Sequence, residues 1–182
     1  MVQTEKDQLL EIILRDGYAK GKFILSSGKE SDFYIDLRKV TLQPQGALCT
    51  AKIILDMVKD VDYDAIGGPT LGADPMIGAI GVVSLQDGNP RPTFIIRKAA
   101  KSHGKQQQLE GPEIKEGAKV VIIDDVATTG KAFLHSIDVL KGMNIEVARA
   151  ICIVDRNEGA KEAVAEKGVQ LESIFDISEI HK

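Results

Sequence analysis

Val120-Val121-Ile122-Ile123-Asp124-Asp125-Val126-Ala127-Thr128-Thr129-Gly130 is the stretch on which the fold turns. Its four leading β-branched residues favour a strand buried on both faces. Two carboxylates follow at the expected strand exit, then small and hydroxylated residues. At Gly130 the pattern becomes helical, over 131–143. The N–H groups of a helix's first turn have no partner within the helix and attract an anion, and a glycine lets the backbone come close to one. The hydroxyls of Thr128 and Thr129 add donors. Asp124 and Asp125 would repel a phosphate, but they suit the vicinal hydroxyls of a sugar or a hydrated divalent cation. A ligand carrying both a phosphate and a ribose satisfies both halves of the run. An Asp-Asp pair standing alone reads as solvated acids at a strand end. The whole run favours the ligand site.

Working outward, the alternation repeats. Strands are expected at 65–67, 93–97, 147–154 and 170–175, and helices at 72–85, 131–143 and 159–167. This predicts an α/β fold with a parallel sheet covered by helices on both faces and ligands at the carboxyl ends of its strands. Ahead of it, Leu9, Leu10, Ile12, Ile13 and Leu14 predict a helix reaching Gly17. Short strands are expected at 23–25 and 33–37, joined by a turn at Ser26-Ser27-Gly28, and an amphipathic helix at about 44–60. No repeat, low-complexity segment or linker interrupts the 182 residues, a length that fits one domain.

Apolar residues are 43% of the chain and charged residues 27%, ordinary for a soluble globular protein. The net charge of -4 gives no general attraction for nucleic acid or anionic membrane, so an anionic ligand needs a local cluster of cations. One exists. No acidic residue occurs from 88 to 109, whereas Arg91, Arg97, Lys98, Lys101, His103 and Lys105 all do. A long polar loop is expected at 98–111, directly after an expected strand, with 98–108 its basic part. A solvated loop is the plain alternative, but the position and the single charge sign favour a role beside a departing phosphate group.

The apolar stretch 65–85 contains Asp74, two prolines and several glycines, and reads as strand, turn and helix rather than a membrane span. Residues 1–7 are polar and lack the core of a signal peptide. Cys49 and Cys152 sit in apolar contexts without metal-ligand spacing and read as buried, reduced thiols. A cytoplasmic protein is expected.

The 120–130 run closely resembles the phosphoribosyl pyrophosphate signature of the type I phosphoribosyltransferases. The similarity extends from about Leu9 to Phe175 and is nearest to the orotate branch of that family. It implies a type I phosphoribosyltransferase-like parallel sheet flanked by helices. One domain, 1–182, would include a small N-terminal hood over the base contributed by about 1–40. The implied reaction transfers the 5-phosphoribosyl group from phosphoribosyl pyrophosphate to orotate, giving orotidine 5′-phosphate and pyrophosphate, in pyrimidine (UMP) biosynthesis.

Carried onto this chain, the donor would be held by Arg97, Lys98, Lys101 and His103 of the basic loop. Asp124 and Asp125 would hold it too, with Val126, Ala127, Thr128, Thr129, Gly130, Lys131 and Ala132. Lys101, His103, Asp124 and Asp125 would be catalytic. Phe33, Tyr34, Thr128 and Arg156 would meet the orotate, although composition alone leaves Arg156 equally a partner for Asp155 or Glu158. Glycines of the 67–75 loop would approach the pyrophosphate, without the lysine some relatives carry there. The lysine that precedes the Ser-Gly pair in some relatives is Ser26 here, and either Lys29 replaces it or the contact is absent. The resemblance also implies Mg²⁺, held through substrate and water with Asp124 or Asp125 the candidates for direct contact. It further implies a homodimer with shared active sites, with no nucleic-acid or membrane partner. The rival readings are a purine or uracil phosphoribosyltransferase, and a non-catalytic regulatory protein of the same fold.

Overall fold

The computed structural model describes residues 2–24, 30–99 and 108–181. Helix α1 (Val2–Ile12) runs through a π turn, Ile13–Gly17, into the antiparallel hairpin of β1 (Tyr18–Ile24) and β2 (Glu30–Ile35). Short α2 (Arg38–Thr41) and α3 (Pro44–Met57) follow; Pro44 sits in the first turn of α3, where its missing N–H costs nothing. Then come β3 (Ala65–Pro69), α4 (Asp74–Gln86), β4 (Thr93–Ile96), β5 (Leu109–Glu110), β6 (Lys119–Ala127) and α5 (Lys131–Gly142). The described chain closes with β7 (Glu146–Asp155), α6 (Ala160–Ala165), β8 (Leu171–Asp176) and α7 (Ile177–Ile180).

Six strands form one sheet in the order β5-β4-β3-β6-β7-β8, parallel except for β5. Strand β6 is its core. Successive side chains of a strand point to opposite faces, and here both faces are dry. Val121 and Ile123 pack in the cluster that holds Leu9 of α1, Ile54 of α3 and Ile80 of α4. Val120 and Ile122 pack in the other, with Phe133 and Ile137 of α5 and Val164 of α6. All four are fully buried, as the β-branched run predicts.

Three local expectations are corrected. The aspartates do not follow the strand; they lie inside it, because β7 continues to pair with β6 as far as Ala127 opposite Asp155. Ladder hydrogen bonds outweigh the local polarity there. The 98–111 loop ends in β5, an antiparallel edge strand too short to show a periodicity. A final helical turn, α7, was not expected; a capping box forms it, with Asp176 accepting from the backbone of Ser178 and Glu179 accepting from the N–H of Asp176.

Ile122→Ala should cost about 2–5 kcal/mol, because the void opens beneath α5 and α6 and cannot close without moving a helix. The expected result is a clear fall in the urea midpoint with an unchanged slope.

Candidate active site

Asp124 is 8% exposed, and Asp125 is partly buried beside it. Each carboxylate accepts the N–H of the following residue, Asp125 N to Asp124 Oδ1 at 2.9 Å and Val126 N to Asp125 Oδ1 at 2.8 Å. The loop after β3 closes over both. A Cβ placed on Gly72 would stand 2.5 Å from Asp125 Oδ1 and 2.6 Å from Asp124 Oδ1, so only glycine fits at that point. Burial, and then the Asp125 charge, push the Asp124 carboxyl well above the usual carboxylate range, against the opposing pull of Asp125 N–H and Lys98. Burial also raises Asp125, opposed by the N–H of Val126 and by Arg38. Without a ligand the pair resists carrying two charges, and it titrates as a unit.

Directly beyond the pair, the backbone turns into a cavity of about 200 Å³ lined by Asp124, Val126, Ala127, Thr128, Thr129, Gly130, Lys131, Ala132 and Phe133. Gly130 has a φ of 76°, and a Cβ there would press on Ala160 at 3.3 Å. Its left-handed conformation starts α5 with the free N–H groups of the first turn turned into the loop. This is a phosphate-sized cradle next to two hydrogen-bond acceptors.

The neck of the basic loop is pinned. Arg97 N donates to Gln108 O at 2.7 Å, Gln108 Nε2 donates to Arg97 O at 3.2 Å, and Arg97 pairs with Glu110 at 3.2 Å. Lys98 is exposed yet acts on Asp124. Lys101 and His103, expected here as catalytic groups, lie outside the described residues, as do Ser26 and Lys29.

Phe33 and Tyr34 point to opposite sides of the hairpin. Tyr34 is 39% exposed and packs against Phe23, with ring centroids 5.5 Å apart. Phe33 faces the sheet, and the Arg156 guanidinium lies 4.7 Å from its ring centroid. Arg156 follows β7, and its N–H donates to Ala127 O at 2.9 Å, which ties it to the wall of the cradle. Its Nε donates to Glu158 at 2.9 Å, so the local ion pair considered from composition does form. Asp155 is not that partner, since it pairs with Lys161 at 3.0 Å. One site neighbour carried no signal in the sequence. The Arg38 guanidinium donates to Asp36 at 2.9 and 3.2 Å, its backbone N–H donates there too, and its positive charge acts on Asp125. An Asp-x-Arg at a strand end is too common to mark a site.

Among the described residues no group of three metal-ligating side chains occurs, so a divalent cation here would draw most of its oxygens from ligand and water. Both cysteines are free and buried, and burial pushes the Cys152 thiol far up, which leaves it unreactive. No described helix is long and apolar enough to cross a membrane.

An acid pair and a helix-start cradle at the carboxyl edge of a parallel sheet define the class of phosphoribosyl transferases. The Phosphoribosyl transferase domain family matches residues 77–181. The chain is 41% identical to the orotate phosphoribosyltransferase of Nostoc sp., over 100% of this chain and 87% of that one. It is 38% identical to that of Aquifex aeolicus, over 99% and 100%. The crystal structure of the Mycobacterium tuberculosis orotate phosphoribosyltransferase superposes with a TM-score of 0.87 at 34% identity, covering 98% of this chain and 99% of the other. The chain belongs to the orotate phosphoribosyltransferase family.

The buried pair has a consequence for stability. A carboxyl whose folded pKa is raised binds its proton more tightly in the folded state than in the unfolded one. Stability is then greatest below the unfolded value, near 3.8, and is lost as pH rises through the raised folded value. Asp124→Asn keeps an acceptor for the Asp125 N–H and removes the ionisation. It should raise the melting temperature at neutral pH, have little effect near pH 4, and lower activity strongly. Scanning calorimetry across that range checks the sign.

Proposed function

We propose that this chain transfers the 5-phosphoribosyl group from phosphoribosyl pyrophosphate to a ring nitrogen of orotate, giving orotidine 5′-phosphate and pyrophosphate for pyrimidine (UMP) biosynthesis. The observation that carries this reading is the backbone bond joining Arg156 to Ala127. It ties the Arg156 backbone to the wall of the cradle, which supports a role for the planar guanidinium as the group that takes the ring carboxylate. A Mycobacterium tuberculosis relative, 29% identical with a TM-score of 0.82, has been solved with 5-phospho-alpha-D-ribosyl 1-diphosphate bound, which supports the same donor here.

The residues divide the work. The N–H groups and hydroxyls from Val126 to Ala132 hold the 5′-phosphate. Asp124 and Asp125 accept hydrogen bonds from the ribose hydroxyls and stabilise positive charge developing on the sugar, a transition state like that of glycoside cleavage. Arg156 grips the ring carboxylate, with Thr128 nearby. Tyr34, the exposed aromatic of the hairpin, and Phe33 bound the base from the hood. Lys101 and His103, with Arg97 and Lys98 at the loop's neck, stabilise the leaving pyrophosphate. When bound, Mg²⁺ neutralises pyrophosphate charge. No covalent nucleophile is required, and positioning with electrostatics supplies the rate.

A homodimer in the cytoplasm, with the basic loop serving the neighbouring subunit, completes the reading. Leu42, Leu71, Val82 and Leu85 are each more than half exposed and offer apolar surface for such an interface.

Offered orotate, uracil, adenine, guanine and hypoxanthine with the donor and Mg²⁺, the protein should release pyrophosphate with orotate alone; preference for another base would move it to a purine or uracil enzyme, and no turnover to a regulatory role. Arg156→Ala should weaken orotate by ~2–5 kcal/mol, the scale of a lost charged hydrogen-bond pair, and leave the donor KM in place. The shared loop is tested by mixing. Lys101→Ala and Asp125→Asn subunits, each nearly inactive alone, should regain activity as heterodimers, because one of the two sites then carries neither change. No recovery in confirmed heterodimers would assign each loop to its own subunit.

A further inference from the structure

We propose that His181 is a positioning residue for base binding: through Phe33 it holds Arg156 in place. This rests on the reading above, in which Arg156 meets the base's carboxylate. The His181 ring stacks on Phe33 with centroids 4.6 Å apart and planes inclined by 29°. The same Phe33 ring carries the Arg156 guanidinium at 4.7 Å. One aromatic side chain therefore sits between the arginine and the histidine in a chain of contacts.

The imidazole is itself held from the hairpin. Tyr18 Oη lies 2.7 Å from its Nδ1, and Asp32 Oδ2 lies 3.3 Å from its Nε2. One neutral tautomer satisfies both, with Nδ1 accepting from the phenol and Nε2–H donating to the carboxylate. Burial and the nearby Asp32 charge raise the Tyr18 phenol above its ordinary range, so it keeps the proton it donates. The other end is fixed as well. His181 follows α7, whose cap Asp176 also accepts from Asn157 Nδ2 at 2.7 Å, and Asn157 is the residue after Arg156. The contacts form a closed circuit from Arg156 through Phe33, His181, α7, Asp176 and Asn157 back to Arg156.

A long guanidinium side chain loses rotamer freedom when it binds a ligand. An arginine already packed on a fixed ring has less to lose, and the gain appears as affinity for the ligand it faces. His181 touches neither phosphate cradle nor acid pair, so its effect should be confined to the base.

The test is a double-mutant cycle read in separate Michaelis constants. His181→Ala should raise the orotate KM by about 5- to 10-fold, with kcat and the donor KM within about twofold of wild type. In an Arg156→Ala background the same change should add nothing further, because the group it positions is gone. Tyr18→Phe, which keeps the ring and loses the hydroxyl, should raise the orotate KM by about 2- to 3-fold; if His181→Ala does not fold, this variant carries the comparison. A wild-type orotate KM in a folded His181→Ala or Tyr18→Phe protein overturns the inference. So does an equal rise in both Michaelis constants, or full additivity with Arg156→Ala. If Arg156→Ala alone leaves the orotate KM unchanged, the arginine's own assignment fails, and that arm contains no change at His181.

Discussion

Two adjacent carboxylates sit inside the central strand directly after its dry run, Asp124 buried and Asp125 partly so, and much of the molecule is arranged around that constraint. An ionised carboxylate in such surroundings is costly unless hydrogen bonds compensate it. Here each aspartate takes one backbone N–H from its successor, which meets only part of its acceptor capacity. Raised pKa values are the signature of the shortfall. In the proposed reaction the ribose hydroxyls make up the difference, so the site is least comfortable when empty and best satisfied around its donor. Stability is given up where catalysis needs acceptors.

The sheet order explains why the pair meets its partners. From β3 the chain crosses to β4 on one side and returns to place β6 on the other, so β3 and β6 are neighbours whose next strands lie on opposite sides. Such a reversal opens a crevice at the carboxyl ends of the strands. Gly72, after β3, closes on the acids after the dry part of β6. The next strand, β7, delivers Arg156 to the same edge through its ladder with β6. The helix-start cradle, the acid pair and Arg156 thus meet as consequences of one strand order.

The hairpin is a second body docked on that edge. It is attached through Ile35, buried in the apolar core, and through aromatic and cationic contacts, Phe33 against Arg156 and His181, and Tyr18 against His181. Phe33 is turned inward while Tyr34 stays exposed because β2 alternates. That alternation gives the two rings different neighbours: Phe33 lies against Arg156 and His181, and Tyr34 against Phe23.

What the sequence determined by itself is what rests on local periodicity and local chemistry. Four β-branched residues, two acids, small hydroxylated residues and a glycine specify a dry strand running into a helix start. Their order along the chain marks a candidate sugar-phosphate site, whereas for Arg156 composition left a ligand contact and a local ion pair even, and the family resemblance singled it out. Only the tertiary structure decided the rest. The strand carries through the aspartates because β7 pairs with it there, and β5 exists only as a partner for β4. Arg38 acts on the charge of Asp125, a residue far along the chain, only because α2 packs against α3 and α4. His181 meets Tyr18 across 163 positions, and no spacing rule connects residues so far apart. Pairing energy, burial and aromatic contact between distant segments are properties of the folded arrangement, and they have no period to leave in the sequence.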